Sequence, residues 1–204
     1  SFLLGLILCL LFGIPYIDFL KKKTIGQYIR EEAPDSPAKK AGTPTTGGVF
    51  IIISTLLASI ITLFMAEKFN DRAIIILITF LFYALAGFQD DFLKIQGKEN
   101  KGLSARGKFL RQILIALLPI VYAIQTYGSF GTQISFGNIV FDLGWWYPLL
   151  AIIAITGASN AYNLTDGLDG LAAATGFPAF VACTIISLLS HDYYIAIIAG
   201  SMAG

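Results

Sequence analysis

The feature that most constrains this chain is a series of apolar stretches, each close to the length that crosses a lipid bilayer. A helix needs about 20 mostly apolar residues to cross the hydrocarbon core. Six stretches meet or approach that length, and a seventh runs into the end of the chain: 2–20, 48–66, 73–88, 109–127, 145–159, 172–190 and 193–204. Because these runs are long and lack two-residue alternation, they predict helices rather than barrel strands. We therefore expect an all-α polytopic membrane protein with a single transmembrane domain.

Composition indicates the same class. Hydrophobic residues make up 56% of the 204 residues and charged residues 13%, whereas soluble domains carry about 25% charged residues. A disordered chain is excluded, because disorder requires low hydrophobicity. The formal net charge of +1 gives no reason to expect a nucleic acid partner. The single histidine, His191, argues against a zinc site or a histidine-based triad within this segment.

The basic residues fall almost entirely on one side when the loops between the apolar runs are assigned alternately to the two sides. Twelve of the 14 fall on one side, and only Lys68 and Arg72 fall on the other. Because cytoplasmic loops carry an excess of Lys and Arg, the first side is predicted to be cytoplasmic and the amino terminus to lie outside. On the outer side, residues 132–142 predict a small periplasmic β-hairpin that turns at Gly137 and Asn138. The predicted cytoplasmic loops are 21–47, 89–108 and 160–171.

The first cytoplasmic loop ends in lysines, threonines and glycines, at Lys39, Lys40 and residues 43–48. Such residues can present backbone amides, hydroxyls and positive charge to an anion at a helix amino terminus. Ordinary lysines on the cytoplasmic side of a helix start would explain the same residues. On its own, this loop does not require a binding site.

The second loop opens with two adjacent aspartates, Asp90 and Asp91, followed by Lys94. Carboxylates at the end of a membrane helix are expensive to desolvate and need a reason to be there. If this turn is helical, Asp90 and Lys94 share one face and Asp91 points about 100° away. Two carboxylates beside an ammonium can hold Mg²⁺ and a phosphate together; the alternative is a solvated helix end closed by a salt bridge. A basic cluster that either binds phosphate or marks the cytoplasmic face follows: Arg106, Lys108 and Arg111.

The third loop carries the densest set of polar groups. Asn163, Asp166 and Asp169 recur at three-residue intervals, with glycines at 167 and 170 that let the backbone approach a ligand. These residues suit lipid poorly and predict a polar site for a base, a ribose or a metal, although a plain polar turn is the alternative. The chain has no G-x-G-x-x-G or Walker A pattern. The three loops together favour chemistry on a phosphorylated substrate at the inner leaflet.

Four segments in this order resemble the motifs of the polyprenyl-phosphate N-acetylhexosamine-1-phosphate transferase superfamily. They are TPTTGG at 43–48, DDFLK at 90–94, KGLSARGK at 101–108 and NLTDGLDGL at 163–171. The lysine after the double aspartate is more similar to the branch that acts on UDP-MurNAc-pentapeptide than to relatives that use simple UDP-sugars. The resemblance covers the whole chain and implies a complete fold of about ten helical spans. It therefore also implies that residues 1–204 alone are inactive.

The resemblance implies a reaction and a location. Phospho-MurNAc-pentapeptide moves from UDP-MurNAc-pentapeptide to undecaprenyl phosphate, giving lipid I and UMP in the first membrane step of peptidoglycan synthesis. The cofactor is Mg²⁺, the partners are these two substrates and the bilayer, and a homodimer is expected. The implied location is the bacterial inner membrane, with the active site on the cytoplasmic face.

The resemblance also implies roles for particular residues. Asp90 and Asp91 would bind Mg²⁺ and the lipid phosphate, with Asp90 taking the phosphate's proton, while the main Mg²⁺ ligand would lie beyond residue 204. Two lysines, Lys94 and Lys108, would neutralise phosphate charge. The residues expected to bind the nucleotide substrate around a uridine pocket are Lys40, Thr45, Asn163, Asp166, Gly167, Leu168 and Asp169.

Two other functions fit parts of the sequence. A sister transferase would pass GlcNAc-1-phosphate from UDP-GlcNAc to a polyprenyl phosphate with nearly the same chemistry. A transporter subunit would place ionisable residues near the middle of the membrane. The predicted spans contain no Asp, Glu, Lys or Arg except Asp18 and Arg111 near inner ends, which argues against transport.

Overall fold

The computed structural model describes residues 1–22, 47–97, 102–128, 132–168 and 170–204. Within these ranges the chain forms seven helices and one two-stranded sheet. In chain order they are α1 (Phe2–Lys22), α2 (Gly48–Met65), α3 (Asp71–Gly97), α4 (Ala105–Tyr127), β1 (Gln133–Phe136), β2 (Ile139–Asp142), α5 (Trp146–Thr165), α6 (Leu171–Leu189) and α7 (Tyr193–Ala203). The predicted all-α class with one small hairpin is confirmed.

The helices have the surface of a membrane protein. Five of those in the described residues, α1, α2, α3, α4 and α6, are long and apolar enough to cross a bilayer. Large apolar side chains such as Leu3, Leu114 and Ile186 are exposed along them, whereas a water-soluble domain rarely exposes extended apolar patches. The chain is therefore a multi-pass membrane protein. The predicted six complete spans, the partial seventh and their orientation stay predictions.

Three helices extend beyond the predicted spans by about a turn or more, in each case at the end near the carboxylates of α3 or the start of α4. Helix α3 continues past residue 88 to Gly97, α4 begins at Ala105 rather than at 109, and α5 continues past 159 to Thr165. Hydropathy marks where a run stops being apolar, whereas a helix continues as long as its backbone groups find partners one turn away. Residues 89–97 and 105–108 of the predicted loop 89–108 are therefore helical, as are residues 160–165 of the predicted loop 160–171.

Local chemistry explains where two of the helices begin. Ser104 caps α4, because its hydroxyl oxygen accepts a hydrogen bond from the Gly107 amide at 3.2 Å. Gly170 precedes α6 with a φ of 80°, a left-handed conformation that glycine adopts at little cost. Its carbonyl accepts the Ala174 amide at 2.8 Å and so starts the helical hydrogen bonds.

The helices pack around α7, which contacts α1, α2, α3 and α6. A buried cluster joins α2, α3 and α7 through Leu63, Leu77 and Ile198. At this end of the molecule the Arg72 guanidinium lies over the Tyr127 ring, 4.9 Å from its centroid. Helix α4 packs against both α3 and α5, and the end of α3, the start of α4 and the end of α5 meet at the opposite end.

The hairpin between α4 and α5 forms as the sequence predicts. Strands β1 and β2 pair antiparallel, with Gln133 opposite Asp142, and Gly137 in the turn has a φ of 58°. The Asp142 carboxylate accepts hydrogen bonds from the Thr132 hydroxyl at 2.5 Å and the Gly144 amide at 2.9 Å. These bonds hold the pKa of Asp142 below its ordinary value. The hairpin is confirmed, and its periplasmic location stays a prediction.

Candidate functional site

The double aspartate lies on the last turns of α3, where both carboxylates share one lysine. The Lys94 ammonium is 2.7 Å from Asp90 Oδ2 and 3.3 Å from Asp91 Oδ1. The predicted i,i+4 geometry is therefore present, and Asp91 also reaches Lys94 across three residues. One cation sits between two anions at a helix end. We refer to Asp90, Asp91 and Lys94 as the carboxylate cluster.

Asp90 also ties α3 to the start of α4. Its Oδ1 accepts a hydrogen bond from the Leu103 amide at 2.8 Å, and a Cβ on Gly102 would overlap the same carboxylate. A glycine at 102 is therefore required for this close approach. The Asp90 side chain is only 12% exposed, whereas the Asp91 side chain is 39% exposed. Both oxygens of Asp90 are engaged, and Asp91 is the carboxylate that faces solvent.

The basic residues of α4 face the end of α3. Lys108 is near enough to Asp90 for an attractive electrostatic interaction. The Arg111 guanidinium donates a hydrogen bond to Gln89 Oε1 at 2.9 Å, directly beside the carboxylate cluster. Two of the three residues in the predicted basic cluster therefore contribute to the α3–α4 contact, rather than only marking a membrane face.

A cleft of about 80 Å³ opens between α3, α4 and α5. Pockets for drug-sized ligands occupy about 300–1,000 Å³, so this cleft takes part of a substrate rather than a whole one. Two of the predicted site residues, Lys108 and Asn163, meet here although they are far apart in the sequence. The lining residues are Tyr83, Ala86, Gly87, Leu103, Lys108, Arg111, Gln112, Ser159 and Asn163.

Three further predicted site residues, Asp166, Gly167 and Leu168, lie in the exposed turn between α5 and α6. The turn is anchored from α5, because the Tyr162 hydroxyl donates a hydrogen bond to the Ala172 carbonyl at 2.9 Å. Among the residues that the structure describes, these three are not part of the cleft lining. They follow Asn163 closely along the chain and, like it, are exposed at the end of α5.

The remaining predicted site residues, Lys40, Thr45 and Asp169, lie outside the described residues. Their membership of a uridine pocket therefore stays a prediction.

The structure adds two residues that the motifs did not single out. Gln112 on α4 and Asn160 on α5 pair through their side-chain amides, with the shorter bond at 2.8 Å. A signal for Gln112 was present in the sequence, since it lies inside the predicted apolar span 109–127. A polar amide among membrane helices generally hydrogen-bonds across to a neighbouring helix.

The side chains that could bind a metal suit a magnesium ion only in part. Within the described ranges, no three His, Cys, Asp or Glu side chains are grouped so that they could hold a metal. Mg²⁺ is usually bound through one or two carboxylates together with substrate phosphates. The solvent-facing Asp91 carboxylate suits that mode, whereas both Asp90 oxygens already have partners.

The chain matches known proteins along its whole length. The sequence profile of glycosyl transferase family 4 matches residues 73–204. A phospho-N-acetylmuramoyl-pentapeptide-transferase of Bacillus subtilis (strain 168) is 40% identical over 209 residues, covering 100% of this chain and 63% of the relative. A relative of the same name from Bacillus pumilus (strain SAFR-032) is 39% identical with the same coverage. Another from Oceanobacillus iheyensis is 42% identical over 193 residues, covering 93% of this chain and 59% of the relative.

These matches confirm the family resemblance drawn from the four motifs. The chain spans about 63% of the length of the Bacillus relatives. The matched family region includes the carboxylate cluster, the cleft and the α5–α6 turn. Because the profile covers more than half of the residues, this chain belongs to glycosyl transferase family 4.

Proposed function

We propose that this chain is the amino-terminal part of an enzyme that makes lipid I. The lipid phosphate oxygen of undecaprenyl phosphate attacks the β-phosphorus of UDP-MurNAc-pentapeptide. The new P–O bond joins phospho-MurNAc-pentapeptide to the lipid phosphate, and the bond to the α-phosphate breaks to release UMP. The observation that carries this proposal is the carboxylate cluster beside Lys108 at one end of a set of membrane helices. The relatives named for this transfer support the choice of substrate.

The main physical difficulty of the reaction is the repulsion between two anions that must come together, and the lysines reduce it. Fixed positive charges lower that repulsion and stabilise the charge on the transferring phosphoryl group. Lys94 is held between two carboxylates before any substrate arrives. Lys108 stands at the cleft, next to the same cluster. We assign both lysines to neutralising phosphate charge.

The two aspartates take different roles in this proposal. If Asp90 accepted a proton from the lipid phosphate, it would weaken its ion pair with Lys94 or its bond from the Leu103 amide. We therefore assign Asp90 to positioning Lys94 and the start of α4. Asp91 would meet the lipid phosphate and hold Mg²⁺, which when bound supplies further positive charge against the phosphates.

The nucleotide end of the substrate is assigned to the open surface beyond the cleft. The cleft is too small for a nucleoside diphosphate sugar, whereas the exposed turn at 166–168 begins directly after α5. We propose that this turn and Asn163 form the uridine pocket together with Lys40, Thr45 and Asp169. The proposed setting is the cytoplasmic face of the bacterial inner membrane, with the amino terminus outside and two copies forming a dimer.

The deciding experiment uses the full-length protein in detergent with undecaprenyl phosphate. UMP release would be followed from UDP-MurNAc-pentapeptide and from UDP-GlcNAc, each with Mg²⁺ and with EDTA. Metal-dependent release from the muramyl substrate alone is expected. Release only from UDP-GlcNAc would move the protein to the sister reaction, and no release from either substrate by a folded sample would contradict the proposed transfer.

A further inference from the structure

Three of the helices around the cleft meet at one buried glutamine. Gln112 on α4 is 4% exposed. Its backbone carbonyl accepts a hydrogen bond from the Tyr83 hydroxyl on α3 at 2.9 Å. Its side chain pairs with Asn160 on α5 in both directions, through Asn160 Nδ2 to Gln112 Oε1 at 2.8 Å and Gln112 Nε2 to Asn160 Oδ1 at 3.2 Å. We refer to this reciprocal pair as the amide bridge.

The amide bridge has additional partners on α5. The Asn160 Nδ2 group also donates to the Thr156 carbonyl at 2.9 Å, and the Gln112 Nε2 group reaches Ser159 Oγ at 3.5 Å. A buried amide is unfavourable unless its hydrogen bonds are made. Sliding α5 along α4 by one residue would separate the two amides and leave them unsatisfied. The bridge therefore selects one register between these helices.

That register determines the positions of two side chains that line the cleft, Lys108 and Asn163. Lys108 lies one turn before Gln112 on α4, and Asn163 lies about one turn after Asn160 on α5. Residues three or four apart share a helix face, and Lys108 and Asn163 both line the cleft. Since each belongs to the same helix face as one half of the bridge, their separation across the cleft depends on the bridge.

We propose that Gln112 is a positioning residue, which acts through the amide bridge to hold Lys108 and Asn163 across the cleft from each other. The consequence for the reaction rests on the proposed function. Small displacements of a positioned group are enough to lower the rate of a transfer step greatly. Substrate binding depends on many other contacts, so the turnover number should suffer more than the Michaelis constant.

The test uses the full-length protein carrying Gln112→Leu, Asn160→Leu or both. Gln112→Leu should lower kcat for UMP release at least about tenfold and leave the KM for UDP-MurNAc-pentapeptide within about threefold. Because the two amides act as one unit, the double variant should be no worse than the more damaged single variant. Additive losses, or a Gln112→Leu kcat within about twofold of the wild type, would overturn the proposal.

A matched control separates positioning from general destabilisation. Thr156 is also buried on α5, but within the described part of the chain its hydroxyl bonds to its own helix, at the Ile152 carbonyl 2.6 Å away. Thr156→Val should therefore keep a nearly normal kcat even if its melting temperature falls as much as that of Gln112→Leu. Equal kcat losses in the two variants would contradict a positioning role.

A distance measurement keeps the test independent of the proposed reaction. Spin labels would be placed at Phe109 and Leu164, which are exposed on α4 and α5, in a full-length protein whose own cysteines are replaced by serine. The distance distribution should broaden or shift in Gln112→Leu and stay unchanged in Thr156→Val. If the wild type releases no UMP from any substrate, the proposed function fails, and this distribution still decides whether Gln112 positions the cleft. An unchanged distribution in Gln112→Leu would overturn the proposal.

Discussion

The end of α3 and the turn between α5 and α6 both carry aspartates that the sequence predicts to be functional, yet they are built differently. The Asp90 side chain is 12% exposed, and its two oxygens are held by Lys94 and the Leu103 amide. Asp166 lies in an exposed turn. The charged part of the site is thus organised by contacts between α3 and α4, while the proposed nucleotide surface is open. We infer that the first region is preorganised, whereas the second is accessible to a ligand from solvent.

The largest effect is expected from removing the shared cation of the carboxylate cluster. Lys94→Met would leave two adjacent carboxylates without the ammonium that joins them, and would remove the ion pair of the partly buried Asp90. UMP release from the full-length protein should fall by about 100-fold or more. Lys68→Met, at the opposite end of the helices, is the control and should change the rate little. Comparable losses in both variants would remove the distinction between the two ends.

A slightly smaller loss of UMP release is expected when Asp91, the solvent-facing residue of the carboxylate cluster, is replaced. Asp91→Asn should reduce UMP release by about 10- to 100-fold and raise the Mg²⁺ concentration needed for half-maximal rate, because a neutral amide binds Mg²⁺ less well than a carboxylate. Asp71→Asn, on the first turn of the same helix, is the matched control. A normal Mg²⁺ dependence in Asp91→Asn would contradict our assignment of the metal to Asp91.

A pair of glycine substitutions compares the two regions directly. Gly102→Ala places a Cβ against the Asp90 carboxylate, whereas in Gly167→Ala the nearest atom is the Leu164 carbonyl oxygen at 3.7 Å, an ordinary contact. Gly102→Ala should therefore lower the free energy of unfolding by about 1–3 kcal/mol, and Gly167→Ala should stay within about 0.5 kcal/mol. Thermal unfolding of the detergent-solubilised protein measures both. Equal stability of the two variants would mean that the α3–α4 contact is not tightly packed.

The smallest expected effect is on the stability of the hairpin, which lies away from both regions. The pKa of Asp142 is lowered mainly by the Thr132 hydroxyl, with the Gly144 amide adding to it. A depressed pKa in the folded state means that this carboxylate stabilises the hairpin above its unfolded pKa, and that the contribution is lost as the pH falls through the lower folded value. Amide exchange in β1 and β2 should therefore speed up below about pH 4, relative to a reference amide in α4. Asp142→Asn should lose this pH dependence; if it kept the dependence, another group would be responsible.

Local patterns were enough to predict part of the site. The 3.6-residue helical period placed Asp90 and Lys94 on one face, and the ion pair at 2.7 Å confirms it. Gly137 and Asn138 predicted the turn of the hairpin, because a tight turn needs a residue that accepts positive φ. These features depend on residues within a few positions of each other, so the sequence carries them directly.

Contacts between distant residues could not be predicted in this way. The Leu103 amide that binds Asp90 lies 13 residues away, and Gln112 and Asn160 are 48 residues apart. The periodic pattern of residues within one helix does not specify which face of a neighbouring helix packs against it. Hydropathy also placed the end of the third span at 88, although α3 continues to Gly97, because loss of apolar character does not end a helix.

The sequence by itself determined that this chain spans a membrane, that it is helical apart from one small hairpin and that Asp90 and Lys94 share one helix face, because apolar run length and residue spacing are local properties. Only the tertiary structure decided that Asp90 is buried between Lys94 and the start of α4, that Asp91 is the solvent-facing carboxylate and that Gln112 joins α4 to α5. Burial and hydrogen bonding at these positions depend on how three helices pack against one another. That arrangement is a property of the assembled fold and of no single segment.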